Sequence, residues 1–253
     1  MNAKKVLIFD IESEYGHFRK YNTTTSPLTY SIPTRTAVAG MLGAILGMER
    51  EIRDGVFPEG AEPVQEFFSK ERADIAVQLL RPVKKETIGI NLVNTKNSFN
   101  NLSVAGRTQI NFEFLREPAF RIYFAMEEEP EVFEELVKRI KTKKHHFTPY
   151  LGIAQCTADV IYRDVRQAVY KQNGNNDYVD VITAVNLSKV TAENPVQFDY
   201  SAFYAANTMP LAMNRNREVL EYSDVLIERT GKPVKVKVPE YYHVEGYGNI
   251  VFL

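Results

Sequence analysis

KVLIFDI at residues 5–11 and SIPTRTAVAGMLGAILG at residues 31–47 are the two stretches that decide the fold of this chain. The first is a near-continuous apolar run, which is typical of a strand buried in the middle of a sheet. The second predicts a helix over residues 36–48, because apolar side chains recur there at helical spacing on one face. These side chains are Val38, Met41, Leu42 and Ile45. We therefore expect a buried strand followed by a core-facing helix.

Glycines mark another face of the same predicted helix, at Gly40, Gly43 and Gly47. A glycine in a helix interior costs about 1 kcal/mol relative to alanine, because ordering its backbone loses more entropy. A helix that keeps several glycines on one face needs a packing reason. We therefore predict that another backbone lies very close to this face.

Further segments continue the pattern of strands and helices. We predict a strand over residues 73–83, paired strands over 112–115 and 119–125, a helix over 130–144 and a strand over 153–160. The complete order is strand, helix, strand, strand, helix, strand, which is the ferredoxin-like order shared by RNA-recognition domains. The predicted fold class is therefore α+β, with a ferredoxin-like domain over residues 1–162.

The pattern changes after residue 162, where predicted strands follow one another without strong helices between them. These strands cover residues 179–185, 196–204 and 234–238, so we predict a smaller β-rich part over residues 163–253. Within it, residues 232–239 alternate lysine with valine. This alternation is typical of a half-buried strand with lysines guarding a sheet edge, and a row of lysines facing RNA is the alternative.

A long excursion rich in asparagine and serine interrupts the predicted domain over residues 86–110. A loop of this length inside a compact domain is usually functional or disordered. We predict a flexible hairpin. The basic residues in it and just before it are Lys84, Lys85, Lys96 and Arg107.

The composition is that of an ordinary globular protein, with 253 residues, 44% hydrophobic, 25% charged and a net charge of −1. Because the chain as a whole is not a polycation, nucleic acid would have to bind to a local basic patch. The single cysteine, Cys156, excludes an internal disulfide framework and a cysteine cluster for zinc, and it is typical of a reducing cytosol. We find no targeting segment and no apolar stretch long enough to span a bilayer. We therefore expect a cytoplasmic protein without membrane contact.

The loop that joins the first strand to the first helix has the composition of an anion site. It opens with His17, Arg19 and Lys20, and the helix begins with residues 34–36, which are Thr34, Arg35 and Thr36. Arginine and hydroxyl groups bind phosphate, and the N–H groups and positive dipole end of a helix start attract anions. Aromatic side chains of the loop suit stacking on unpaired bases. They are Tyr15, Phe18, Tyr21 and Tyr30. The alternative is an ordinary capped helix with solvated charges.

The sequence KKHH at residues 143–146 suggests nuclease chemistry, because histidine can act as general acid and base while lysine stabilises phosphorane charge. A basic helix C-terminus fits better, since adjacent residues on a helix do not face one target. Asp10 and Glu12 could bind magnesium at a strand end, but such carboxylates are more often structural. The histidines and the cysteine have no recognised metal-ligand spacing. We predict no catalytic residue, no metal and no cofactor.

Several of these motifs together resemble the sequence signature of Cas family five, the RAMP-type subunit of type I CRISPR Cascade complexes. EYGHFRK at residues 14–20 with residues 31–47 resembles the N-terminal signature. RTQI at 107–110 with FLREPAFRIY at 114–123 is similar to the second block, and FTPYLG at 147–152 is similar to the third. The length and the style of the motifs resemble the type I-B branch.

The resemblance implies a ferredoxin-like domain with an inserted β-hairpin thumb, which would fall within residues 86–110. It also implies a subunit that grips the five-prime handle of crRNA, caps one end of the backbone filament and contacts the backbone subunit and the large subunit. Target DNA would be met only through the complex, because the guide reads it by base pairing. On this basis the predicted RNA-binding residues are His17, Arg19, Lys20, Tyr30, Thr34, Arg35, Thr36, Lys96 and Arg107.

One branch of the family, in type I-C, is itself the crRNA-processing endonuclease. Its tyrosine, lysine and histidine set does not map convincingly onto this sequence, so we predict a non-catalytic subunit. Two alternatives stay open. One is a metal-independent endoribonuclease that processes CRISPR repeat RNA, and the other is a scaffold that binds only protein.

Overall fold

The computed structural model describes residues 3–21, 23, 26–49, 56–93, 107–191, 193–199 and 201–253. Strands dominate, and the helices are few and short. Up to residue 172 the elements are β1 (Ala3–Glu12), β2 (Tyr15–Gly16), α1 (Arg35–Leu46), α2 (Val64–Phe67), β3 (Asp74–Leu79), β4 (Lys85–Val93), β5 (Arg107–Arg116), β6 (Ala119–Ala125), α3 (Pro130–Thr142) and β7 (Asp159–Gln172). Beyond it they are β8 (Val179–Val181), β9 (Val185–Asn186), a short 3₁₀ helix (Leu187–Lys189), β10 (Val196–Gln197), β11 (Tyr204–Met213), β12 (Val219–Glu228), β13 (Val234–Val236), β14 (Glu240–Val244) and β15 (Gly248–Ile250).

Strand β1 lies inside a nine-stranded sheet whose order is β10-β13-β8-β15-β14-β7-β1-β6-β3. It pairs antiparallel with both β6 and β7, and β3 pairs antiparallel with β6. Alternate side chains of β1 face opposite sides, so Leu7 and Phe9 pack in the core that includes α1 and α3, whereas Val6 and Ile8 pack in a second core. The second core includes Phe252, from the last residues of the chain. Burial on both faces explains the continuous apolar run and confirms the predicted strand.

The two long helices agree with the sequence prediction. Helix α1 begins after Thr34, whose hydroxyl accepts a hydrogen bond from the N–H of Ala37, and ends at Gly47 in the left-handed conformation. This N-cap oxygen satisfies one of the N–H groups that a helix start leaves free. Helix α3 begins at Pro130 and buries Phe133, Leu136 and Ile140. Both helices pack on the same face of the sheet.

The glycines of α1 do not all serve the purpose that we predicted. A Cβ atom at Gly43 would lie 2.8 Å from Cγ2 of Val64, so α2 approaches α1 closely there. A Cβ at Gly47 would lie 2.5 Å from the His146 ring. A Cβ at Gly40 would meet no atom within 4 Å. The prediction of a closely packed backbone was wrong: two positions face side chains and the third faces open space.

Strands β4 and β5 form the predicted hairpin, with a register from Lys85 opposite Leu115 to Val93 opposite Arg107. Residues 94–106 lie outside the described part of the chain. The predicted pairing of the strands on either side of Glu117 was wrong, because β5 pairs with β4 and β2, whereas β6 pairs with β1 and β3. Glu117 has a positive φ of 49°, where the chain leaves one sheet and enters the other.

Strand β7 begins later than predicted and runs much further along the chain. Residues 153–156 form a turn with flanking bends, and Thr157 makes an isolated bridge with Tyr150. The strand then runs from Asp159 to Gln172, where it pairs with β14. It therefore crosses residue 162, and strands from both sides of that position share one sheet. The division of the chain at residue 162 stays a prediction.

The β-rich character of residues 163–253 is as predicted, but its longest hairpin was missed. Strands β11 and β12 pair antiparallel from Tyr204 opposite Glu228 to Met213 opposite Val219 and, with β9, form a separate three-stranded sheet. Among the described residues of the strand predicted over 196–204, Val196 and Gln197 form β10, and β11 begins at Tyr204. In the described part of the chain, no helix has the length and apolar character that a bilayer crossing requires.

Candidate nucleic-acid interface

The polar loop between β1 and α1 contains most of the predicted RNA-binding residues, but it buries many of their side chains. His17 is buried, and its Nδ1 lies 2.7 Å from the carbonyl oxygen of Glu113. Its ring packs against Phe112 and Phe114 at centroid distances of 5.3 and 5.5 Å. Burial lowers the pKa of His17, and the charge of Arg19 lowers it further, so the ring is neutral at pH 7.

The start of α1 is closed by its own side chains. The Thr34 and Thr36 hydroxyl oxygens lie 2.9 Å apart, and both residues are buried. The N-cap bond from Ala37 to Thr34 occupies one of the N–H groups that an anion would need. The alternative of a capped helix therefore describes this helix start in the present conformation, and the anion site stays a prediction.

Arg35 is only 2% exposed and is among the largest fully buried side chains of the described residues. Its Nη2 donates hydrogen bonds to the carbonyl oxygens of Ser69, at 2.9 Å, and Ala73, at 2.6 Å. Burial lowers its pKa to about 10, so the guanidinium still carries its charge at pH 7. The side chain joins α1 to the turn before β3 and offers no surface to a ligand in this conformation. An RNA-binding role for Thr34, Arg35 and Thr36 stays a prediction.

Tyr30 and Lys20 connect the same loop to strand β11. The Tyr30 hydroxyl donates to the carbonyl oxygen of Thr208 at 2.9 Å, and the Lys20 ammonium donates to Oδ1 of Asn207 at 2.9 Å. The Lys20 Nζ also lies 5.7 Å from the centroid of the Tyr30 ring. The sequence indicated Tyr30 and Lys20, but no local signal pointed to β11, because its residues lie far along the chain.

Three cations lie in or beside this loop, and two of them, Lys20 and Lys85, are near enough for their charges to interact. The third is Arg19, which directly precedes Lys20 in the chain. We call these three residues the basic surface. Arg19 is exposed, and its guanidinium donates to the carbonyl oxygen of Thr23 at 2.9 Å. Lys85 donates to the carbonyl oxygen of Thr29 and to Oε1 of Glu113, both at 2.7 Å.

The charges of the basic surface are incompletely balanced. Burial lowers the pKa of Lys20, and the nearby charge of Lys85 lowers it further, while Glu113 opposes this change. A bound anion beside Lys20 would therefore relieve repulsion between cations. Lys85 was recognised in the sequence as basic but was not included in the predicted site. Its position before the hairpin was the only available signal.

Of the two predicted thumb residues, Arg107 is described and does not join the basic surface. Arg107 is exposed at the start of β5, opposite Val93, whereas Lys85 lies opposite Leu115. Eight residues of extended strand separate the two ends of this pairing, or about 27 Å at 3.4 Å per residue. Lys96 lies outside the described residues. The hairpin thus carries Arg107 well away from the basic surface.

The histidines after α3 occupy structural positions. The N–H of His146 donates to the carbonyl oxygen of Ile45 at 3.1 Å, so it supplies a hydrogen-bond donor to a carbonyl group at the C-terminal end of α1. The His146 ring packs against Gly47. Burial lowers the pKa of His145, with a further contribution from Lys143. A histidine with a lowered pKa is a poor proton donor at pH 7.

The acidic residues at the end of β1 are engaged by arginines. Asp10 is buried and accepts from Arg121 at 2.7 and 3.0 Å and from Arg163 at 2.7 Å. Glu12 accepts from Arg81 at 2.6 Å. Guanidinium groups thus occupy the oxygens that magnesium would use. Within the described ranges, no three histidine, cysteine or acidic side chains come together in a way that could hold a metal ion.

The lysine-valine segment forms β13, with Val234, Val236 and Val238 buried and Lys235 exposed. The strand pairs with β8 on one side and with the two-residue β10 on the other. It is therefore half-buried, as predicted, and next to the edge strand. The lysines remain on the solvent side, where Lys237 lies 4.9 Å from the centroid of the Tyr178 ring.

Comparison with known proteins identifies the family to which this chain belongs. A family model described as CRISPR-associated protein (Cas_Cas5) matches residues 6–224. A solved structure titled "CRISPR RNA-guided surveillance complex" is similar to the chain with a TM-score of 0.50 and 11% identity, covering 92% of each chain. One titled "Crystal structure of Cas protein" has a TM-score of 0.44 and 17% identity, covering 93% of this chain and 98% of that one. At 11% identity, the likeness to the surveillance-complex chain is one of fold. No curated protein matches the sequence.

Proposed function

Because the chain belongs to the CRISPR-associated Cas_Cas5 family, we propose that it is a non-catalytic subunit of a type I CRISPR Cascade complex, most similar to type I-B. In this role it binds and caps the five-prime handle of crRNA during antiviral defence. The observation that carries the proposal is the basic surface of Arg19, Lys20 and Lys85, in a chain whose net charge is −1. Local positive charge on a neutral protein suits one defined RNA segment better than nonspecific nucleic acid.

The chemistry of the basic surface suits a phosphate backbone. Arg19 keeps an exposed guanidinium, which can bond phosphate oxygens in a fork geometry. Lys20 donates to a neutral amide, so its charge is not cancelled by its hydrogen-bond partner. An RNA phosphate beside both cations would offset the repulsion between Lys20 and Lys85, because it attracts each of them.

We propose that the first part of the chain is a ferredoxin-like domain with an inserted thumb. The support is the sequence of elements β1, α1, β3, β6, α3 and β7, with an antiparallel sheet order of β7-β1-β6-β3. The hairpin of β4 and β5 leaves the domain between its second and third strands and would be the thumb. On this proposal the partners are the Cascade backbone subunit and the large subunit, with target DNA reached through the complex, in the cytoplasm.

We also propose that the chain holds RNA without cutting it. Two observations on the histidines support this. His146 packs on the end of α1, and the pKa of His145 is lowered. Incubation with labelled CRISPR repeat RNA in the presence of EDTA tests this point. Specific cleavage that disappears in His145→Ala or His146→Ala would establish the endoribonuclease instead.

The proposed RNA grip is tested by fluorescence anisotropy with a labelled single-stranded RNA of the handle sequence. We expect the double variant Arg19→Ala, Lys20→Ala to bind at least 10-fold more weakly than the wild type, because two charge-assisted phosphate contacts are lost. The slope of log affinity against log salt should fall by about 1.4, since each phosphate contact to a single strand contributes about 0.7.

The matched control is the double variant Lys143→Ala, Lys144→Ala, which removes two neighbouring exposed cations after α3. We expect it to keep wild-type affinity and salt slope. Equal losses in both double variants would indicate nonspecific electrostatic binding. A wild-type chain that binds no handle RNA but binds other Cascade subunits would support the protein-only scaffold.

A further inference from the structure

We propose that Tyr21, supported from behind by Tyr222, is a stacking platform for one unpaired nucleobase of the bound RNA, an inference that rests on the proposed function. Tyr21 lies in the loop next to the basic surface, and Tyr222 lies in β12. Their ring centroids are 5.0 Å apart with an angle of 40° between the planes. Tyr21 is 64% exposed and Tyr222 is 39% exposed.

The geometry assigns different roles to the two rings. A base cannot enter between them, because a single pair of packed aromatic rings already needs about 4.5–7 Å between centroids. The free face of the more exposed ring, Tyr21, is therefore the surface on which a base would stack. Tyr222 lies against the other side of Tyr21 and limits the positions that this ring can adopt.

The apolar surface continues beyond the two rings. Leu220 is 68% exposed, and exposure alternates along this part of β12, so that Leu220 and Tyr222 are both exposed while Glu221 between them is half-buried. Glu221, on the opposite face, accepts from Lys70 at 2.8 Å. The first part of β12 thus directs Glu221 toward Lys70 and leaves Leu220 and Tyr222 exposed, with Tyr222 in contact with Tyr21.

The neighbouring charges favour RNA over a protein segment as the occupant. Tyr21 directly follows Arg19 and Lys20 along the chain, so a phosphate on the basic surface would leave the attached nucleotide within reach of the ring. The Lys20 Nζ lies 5.7 Å from the centroid of the Tyr30 ring. Burial raises the pKa of Tyr30, and Tyr222 and Tyr21 are near enough to raise it further. Aromatic rings that flank cations are the combination that binds unpaired nucleotides.

A platform that includes Tyr222 would give the C-terminal part of the chain a role in RNA binding. Tyr222 belongs to residues 163–253, and β11 of the same hairpin holds Lys20 and Tyr30 through Asn207 and Thr208. The β11–β12 hairpin would therefore fix both the stacking ring and the lysine. The chemistry recognised is a single-stranded nucleotide whose base is unpaired and whose phosphate is free to reach the cations.

The test uses the full chain and handle RNAs that carry 2-aminopurine at one position each, because stacking quenches the fluorescence of this base. We expect quenching at one position in the wild type. Tyr21→Leu should abolish it and weaken binding about 5- to 150-fold, the range for one base stacked on an aromatic ring. Tyr21→Phe should retain quenching and affinity, since it keeps the ring. Tyr222→Leu should reduce quenching, because Tyr21 loses its support.

The matched control is Tyr178→Leu, which removes a tyrosine of similar exposure, 40%, located elsewhere on the molecule. We expect it to behave as the wild type. If Tyr21→Leu binds and quenches normally while the Arg19 and Lys20 variant loses affinity, the platform is overturned and the proposed function stands. If the wild type does not bind handle RNA, both the platform and the proposed function are overturned. If Tyr21→Leu keeps RNA affinity but fails to assemble with other Cascade subunits, the face docks protein and the inference is overturned.

Discussion

At the scale of single residues, the main finding is that polar side chains of the N-terminal loop divide into buried and surface groups. Arg35 and His17 are as polar as Arg19 and Lys20, yet they lie in the interior and bond backbone carbonyl oxygens. A buried polar group must keep its partners, because leaving a buried donor or acceptor unsatisfied costs about 1–3 kcal/mol. The buried residues are therefore expected to act on stability.

Arg35→Leu tests this expectation. The substitution removes the Arg35 donor from the carbonyl oxygen of Ala73 and one of several donors from that of Ser69, so we expect the free energy of unfolding to fall by about 2–4 kcal/mol. Urea unfolding measures it. Arg116→Leu, at an exposed arginine, is the control and should change stability by less than about 0.5 kcal/mol. A stable Arg35→Leu variant with weakened RNA binding would instead support the RNA-binding role predicted from the sequence.

His17 should make stability depend on pH. Its pKa in the folded protein is below the ordinary value of about 6.5, so the unfolded chain takes up a proton first as the pH falls. The stability that neutral His17 contributes is complete above pH 6.5 and is lost progressively below it, at up to about 1.4 kcal/mol per pH unit.

Urea unfolding at pH 7.5 and 5.5 measures this loss. We expect it to be smaller in His17→Asn than in the wild type, and unchanged in His243→Asn, whose histidine is exposed. A residual loss is expected in His17→Asn because His145 also has a lowered pKa. An equal loss in His17→Asn and the wild type would contradict the assignment.

At the scale of elements, α1 shows that residues of one type on one helix can have opposite effects. Gly43 lies against Val64 of α2, Gly47 ends the helix with a φ of 83°, and Gly40 has open space beside it. The sequence pattern is the same at all three positions. The neighbouring elements decide which glycine is needed.

Substitution of each glycine by alanine tests these three different surroundings. Gly40→Ala should raise the free energy of unfolding by up to about 1 kcal/mol, because alanine favours a helix and meets no atom there. Gly43→Ala should lower it by about 1–3 kcal/mol, since β-branched Val64 has little freedom to move. Gly47→Ala should lower it by at least about 1 kcal/mol, because a side chain is strained at positive φ.

Thermal and urea unfolding of the three variants give the comparison, and Gly40→Ala acts as the matched control for the other two. Equal effects at the three positions would contradict the contacts described for α1. Stabilisation by Gly40→Ala together with a loss of Cascade assembly would show that this open position meets a neighbouring subunit.

At the scale of the whole molecule, the nine-stranded sheet joins the two parts that the sequence separated at residue 162. Strand β7 pairs with β1 from Asp159 to Val169 and with β14 from Ala168 to Gln172. The N–H of Leu253 donates to the carbonyl oxygen of Ile75 at 2.9 Å, and Phe252 packs in the core that contains Val6 and Ile8. Residues from the end of the chain thus complete a core begun by β1.

A fragment of residues 1–162 tests how far the first part depends on the second. We expect it not to unfold cooperatively, because it lacks most of β7 and leaves the apolar face of Val6 and Ile8 exposed. Urea unfolding followed by circular dichroism, with the full chain as control, measures this. A fragment with a sharp unfolding transition and dispersed amide resonances would support two independent domains.

The sequence by itself determined the elements whose signal is local. The apolar run of β1, the helical spacing of α1 and the charge distribution of α3 predicted these elements correctly, because each pattern repeats within a few residues. The order of strands and helices up to β7 follows from the same patterns. The motifs around these elements were also enough to identify the family.

Only the tertiary structure decided which of these residues reach the surface and which strands pair. Arg19 and Arg35 are the same residue type in one segment, but packing against the turn before β3 buries one and leaves the other exposed. Tyr21 meets Tyr222 only because β12 folds back onto the N-terminal loop. Burial and strand pairing depend on contacts between residues distant in sequence, and a local pattern carries no information about those partners.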